Sequence, residues 1–196
     1  MTMYTQEEVK AMFRELCDMP AETEWLEFKE AKNKFSFEKL GKYFSALGNE
    51  ANLKKQRFGW LVFGVNDTPP RQIVGTNYRR DRASLNQLKH EISRETNGMT
   101  FQEIYELYLP EGRVLLFQIP TAPAGIPISW KGHFYGREGE SLGPLAIHEI
   151  EQIRGQASMF DWSAEICTRQ VWKTLIIKLW RLPRTSLSPN TPSWEI

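Results

Sequence analysis

Cysteine is scarce: Cys17 and Cys167 are the only two among 196 residues. Thiols so far apart make neither a disulfide framework nor a zinc signature, and the expected setting is a reducing one, the cytoplasm. No stretch approaches the ~20 apolar residues that cross a bilayer. The start, Met1 to Glu8, lacks the apolar core of a signal peptide, so no membrane partner is expected. An excess of one charge is also missing. Lys and Arg number 25 against 24 Asp and Glu, a net +1, and no global field draws the chain to nucleic acid. Any such partner has to be met by a local basic face. The three histidines, His90, His133 and His148, show no metal spacing. There is no Gly-x-x-x-x-Gly-Lys-Ser/Thr phosphate loop and no Gly-x-Ser-x-Gly elbow, which argues against a P-loop ATPase and an α/β-hydrolase. No internal repeat occurs.

What remains is an ordinary globular balance, 41% hydrophobic and 25% charged, with length enough for one real core. Thr5 with Glu8 has capping-box spacing, and Val9, Met12, Phe13, Leu16 and Cys17 follow at helical period. Leu26 to Lys29 alternates as a strand. Ser36 opens a second helix carrying Phe37, Leu40, Tyr43, Phe44 and Leu47, which Gly48-Asn49 can end. Phe58 to Val65 is a nearly continuous apolar run, the pattern of a strand buried on both faces. Asn66 to Pro70 is a turn, and Gln72 to Thr76 is expected to return as a hairpin partner. A helix with Leu85, Leu88 and Ile92 ends at Asn97-Gly98. Phe101 to Leu109 and Arg113 to Ile119 flank a hairpin turn. Trp130 to Tyr135 reads as one more strand, and Ala146 to Gly155 as a last helix. The sum is an α+β single domain over 1–165, with a mixed, mostly antiparallel sheet of about six strands and about four helices.

Two groups of residues invite chemistry. Glu22, Glu27 and Asp67 are carboxylates at strand ends. Three that converge can hold Mg²⁺ or Mn²⁺ and activate water against a phosphodiester; the plain alternative is a solvated strand end and a turn aspartate. The second group is basic: Lys29, Lys54, Lys55, Arg57, Arg79, Arg80, Arg82, Lys131 and Arg137. Such charges contact phosphates, or simply solvate loops. Arg79 to Arg82 lie at a helix start, against the helix dipole, where a bound anion would offset them. Tyr78, Tyr135 and Trp130 are either bases' stacking partners or core.

Glu22-(four residues)-Glu27-Phe28-Lys29, then a helix, then Phe63-Gly64-Val65-Asn66-Asp67, Ile73-Val74-Gly75 and Gly136-Arg137-x-Gly139-x-Ser141, resembles the Schlafen-type AlbA-2 domain over residues 20–155. The resemblance implies a DNA- or RNA-binding domain, of a kind found at the N-terminus of bacterial transcriptional regulators, ATP-binding proteins and helicase-related proteins. It also implies a metal-dependent ribonuclease as an alternative, because in animal Schlafen members three carboxylates cleave RNA. Two would be Glu22 and Glu27. The third comes from an acidic pair that here is Asn66-Asp67, so Asp67 alone supplies it. A short Asn-x-Gly-Gly connection is replaced by the longer stretch from Gly48 to Gly59. Beyond nucleic acid, a homodimer or a protein-interaction module pairing through sheet edges is the remaining alternative.

Residues 166–196 read as a tail. Arg169 to Leu182 is basic and Trp-rich where the resemblance implies an acidic helix, and Pro183 to Ile196 is Ser/Pro/Thr-rich, as in disordered segments. Taking the last base of each codon with the next two turns Trp172-Lys173 into Glu and permits Asp at Lys173-Thr174 and Leu175-Ile176. The tail is therefore expected to be a frameshifted version of the acidic helix, which the nucleotide sequence tests.

Overall fold

The computed structural model describes residues 4–19 and 23–158. The chain divides after Ser158 into two units, and every described residue lies in the first. Glu22 and the tail, with the readings attached to them, lie outside the described residues.

In chain order the elements are α1 (Gln6–Cys17), β1 (Leu26–Lys29), α2 (Phe37–Leu53), β2 (Phe58–Phe63), α3 (Arg82–Glu95), β3 (Glu103–Leu109), β4 (Gly112–Pro120), β5 (Ser129–Trp130), β6 (His133–Glu138), β7 (Ser141–Pro144) and α4 (Ile147–Ser158). The four-stranded sheet runs β1-β2-β4-β3, and β5-β6-β7 form a second sheet. Only the β1–β2 pair is parallel, Glu27 beside Leu61 and Lys29 beside Phe63; the others are antiparallel. The parallel pair is what makes α2 a crossover helix. The α+β class and the mostly antiparallel pairing are as the sequence predicts.

α1 starts on a complete capping box, Thr5 Oγ1 accepting from the Glu8 amide and Glu8 reaching back to the Thr5 amide. β2 is buried on both faces, as its apolar run demands. Leu61 and Phe63 pack under α2 and α3 with Phe44, Leu85 and Phe117. Trp60 and Val62 pack against α1 with Phe13, Leu16 and Phe28.

Three expectations are corrected. α2 does not stop at Gly48-Asn49 but runs to Leu53, because Asn49 has buried partners on the second sheet. Its side chain donates to the carbonyls of Ile128 and Tyr135 and accepts from the Ile128 amide. Those bonds replace the local turn that an asparagine would otherwise favour. Gln72 to Thr76 is not a hairpin strand. A lone bridge joins Val65 to Ile73, since Gly64, at φ 91°, bends the chain out of the ladder into a conformation that side chains resist. The run Trp130 to Tyr135 is not one strand but a hairpin. Lys131 and Gly132, both at positive φ, turn β5 into β6, the two-residue turn that matches strand twist. With Gln72 to Thr76 lost, Trp130 to Tyr135 split in two and β7 added after the Glu138–Ser141 turn, the described residues form seven strands where about six are expected.

Candidate nucleic-acid interface

β1 brings Glu27 and Lys29 onto the α2 face of the sheet, opposite Leu26 and Phe28. Glu27 is not a solvated strand residue: it is 1% exposed. One of its oxygens lies 2.5 Å from the Arg137 guanidinium and the other 2.5 Å from the Lys29 ammonium. Arg137 comes from β6 and its side chain is fully buried. It also donates to the carbonyls of Thr23, Leu26 and Glu140. A buried carboxylate is tolerated when paired and hydrogen-bonded in this way.

Lys29 lies 3.7 Å from Asp67 as well, so Glu27 and Asp67 are brought together across an ammonium. These two carboxylates as placed do not fit a Mg²⁺ or Mn²⁺ ion. The Lys29 ammonium stands between them, and Arg137 already compensates the second Glu27 oxygen. A divalent cation would have to displace one positive group and sit near another. Among the described residues no cluster of three His, Cys, Asp or Glu side chains is placed to hold a metal; Glu22 is outside them.

The other basic residues do not form a single face. Lys54 pairs with Glu24 at 3.1 Å, Arg79 with Glu91 at 2.5 Å, Arg82 with Glu103 at 2.8 Å and Lys131 with Glu38 at 2.6 Å. Arg137, inside the core, presents nothing to a phosphate. Lys55 and Arg57 are exposed, but at the far end of α2, about 25 Å from its start at 1.5 Å per residue. Arg80 is exposed and held only by the neutral Asn77 side chain.

The sequence reading missed the cations around the start of α2. Lys34, Lys39 and Lys42 have no carboxylate within ion-pairing distance among the described residues. Arg80 joins them, because the Asn77 amide donates to the Lys32 carbonyl and the Asn77 side chain bonds Asn33. Lys29 completes the group. It lies 6.0 Å from the Tyr43 ring centroid, with Lys39 at 5.9 Å from the same ring. Five cations thus surround the β1 end, the loop before α2 and its first turns. The signal was present in the sequence: lysines straddling the Ser36 cap oppose the helix dipole, as Arg79 to Arg82 do.

The three aromatics offered for stacking separate. Trp130 is fully buried, its indole against Gly41 and its Nε1–H donating to Glu38 at 2.9 Å. Tyr78 is core. Tyr135 is half-buried beside Lys42.

Glu50, buried in α2, accepts from the Arg137 amide at 2.9 Å. Burial raises its carboxyl above the usual range, the amide bond opposes this, and Glu149 adds to the rise. The folded form therefore holds this proton more tightly than the unfolded chain. Its contribution to stability falls as pH rises from the ordinary glutamate range, ~4.3, through the raised folded value. Glu50→Gln, which keeps the acceptor, is expected to match the parent at acid pH and to gain on it progressively toward neutrality. Urea midpoints across pH measure this; a constant difference at every pH would disprove it.

A family model described as Schlafen, AlbA_2 matches residues 22–146. Among solved structures, the DIP2311 protein from Corynebacterium diphtheriae superposes at TM-score 0.51 and 19% identity, over 77% of this chain and 29% of that one. The chain thus covers less than a third of that protein. The N-terminal domain of a RecG-related protein from Nitrosomonas europaea gives 0.46 and 15%, over 74% of this chain and 94% of that one. The likeness to the DIP2311 protein is of fold alone. No curated protein matches the chain.

Proposed function

Because the chain belongs to the Schlafen AlbA_2 family, we propose that it binds nucleic acid through the cations around the start of α2: Lys29, Lys34, Lys39, Lys42 and Arg80. The observation that carries this is that Lys34, Lys39 and Lys42 flank the start of α2, with the Asn77 loop bonded beside them, and that none of these lysines nor Arg80 makes an ion pair among the described residues, Lys42 acting on Glu38 only at longer range, while most other cations of the domain are spent on internal or surface ion pairs. Phosphate contacts of this kind position a strand without reading its sequence. The cytoplasmic setting expected from the scarce cysteines and the regulatory role that the resemblance implies belong to the same reading. Among the described residues no helix is long and apolar enough to cross a membrane.

Each neutralised phosphate releases counterions, so log K should fall linearly with log salt, by about 0.7 to 0.9 per contact. Replacing Lys34, Lys39 and Lys42 together by alanine is expected to weaken binding to all sequences alike and to lower that slope by about 2 to 3. The control pair Lys55→Ala and Arg57→Ala should leave the slope unchanged. Fluorescence anisotropy against salt reads both. Binding that ignores salt, or no binding to RNA or DNA, would overturn the proposal.

A further inference from the structure

We infer that this face takes a single strand and lodges an unpaired base against Tyr135; the inference rests on the nucleic-acid reading above. Beside Lys42 opens a groove of about 520 Å³. Tyr135, Leu142, Pro144 and Ile150 give it an apolar lining, and Lys42 and His133 give it polar groups. What stands over the Tyr135 ring is the Lys42 ammonium, 5.4 Å from the centroid. That group ends a flexible side chain, free to follow a phosphate while the ring meets a base.

The platform is held rigidly. The Tyr135 amide donates to the buried Ser45 hydroxyl at 3.1 Å, and its carbonyl accepts from the buried Asn49 amide at 2.9 Å. Both partners are on α2, the helix that carries Lys39 and Lys42. The Tyr135 backbone is thus tied to the helix whose side chains supply the cations. A flat aromatic beside a cationic track is the arrangement that binds single strands, the backbone following the charge and the base stacking on the ring. A duplex keeps its bases stacked inside and has none to offer the groove. DNA and RNA share the required chemistry, an unpaired base flanked by phosphates.

The test uses the full chain and labelled single-stranded DNA and RNA oligonucleotides, with the duplex of the same sequence. The parent is expected to bind single strands more tightly than duplex. Tyr135→Leu, which keeps apolar bulk without a ring, should weaken single-strand binding about 5- to 150-fold, the range for losing one stacked base, and leave duplex binding unchanged. Tyr135→Phe should restore the parent value. The DNA and RNA arms show which strand is preferred. Parent binding that Tyr135→Leu leaves unchanged, or reduces equally for duplex, overturns the base site alone. Absence of parent binding to every probe overturns the cationic face as well.

Discussion

Replacing Arg137 by methionine will cost the fold about 3–5 kcal/mol, the penalty for removing one partner of a buried pair. The side chain is fully buried and lies 2.5 Å from Glu27, itself 1% exposed. Methionine fills much of the volume but leaves Glu27 with Lys29 alone. It also strips the carbonyls of Thr23, Leu26 and Glu140 of their Arg137 donors. Against a typical domain stability of about 5–15 kcal/mol, such a loss moves the urea midpoint far or abolishes folding. The companion variant Glu27→Gln on the methionine background should recover part of the loss, because the stranded charge is gone. A double-mutant cycle measures that coupling. If the two substitutions simply add, the ion pair is not what holds β6 to β1. A Glu27→Ala variant made to test metal-dependent cleavage would lose structure for the same reason, so its inactivity alone would say nothing about catalysis.

The second large effect belongs to Asn49→Leu. The leucine is of similar size, yet the Ile128 amide and the Tyr135 carbonyl lose their side-chain partner. Each buried group left unsatisfied costs about 1–3 kcal/mol. The Ile128 carbonyl still accepts from Ser45 at 2.7 Å, so it adds little. The loss should appear in the unfolding midpoint and as faster amide exchange in β5 and β6, with α1 less affected. An unchanged midpoint would mean that apolar packing alone docks the second sheet on α2.

These two residues also mark where the sequence stopped being informative. Thr5, Glu8 and the apolar run of β2 act through neighbours in the chain or through a burial pattern, and both are visible in the string. Asn49 sits beside Gly48, where local chemistry says stop. The helix continues because its partners are 79 and 86 residues away. Glu27 and Lys29 alternate with Leu26 and Phe28 as the string predicts, and a charged strand face can meet solvent, an ion-pair row or a ligand; the string does not choose the ion pair that forms on that face. Its true covering, Arg137, lies 111 residues from the Leu26 carbonyl it binds and had been assigned to phosphate. Lys34, in the loop before α2, and Lys39 and Lys42 on its first turns carry no distinctive local pattern, because lysines near a helix start are ordinary. Their significance came only when Glu38 proved to be held by Lys131 and the loop through Asn77 brought Arg80 alongside.

The arginine that seals β1 is also the last to arrive. β1 is four residues long and lies at the edge of its sheet, where open backbone groups invite strands from other molecules. A ribosome delivers Glu27 and Lys29 more than a hundred residues before Arg137. Throughout that interval the strand carries two charges on the face that will later be interior, a feature that discourages a second chain from adding to the edge. Glu27, costly to bury in the finished domain, thus guards the nascent one against aggregation until β6 brings Arg137 to close it in, while Lys29 stays partly open.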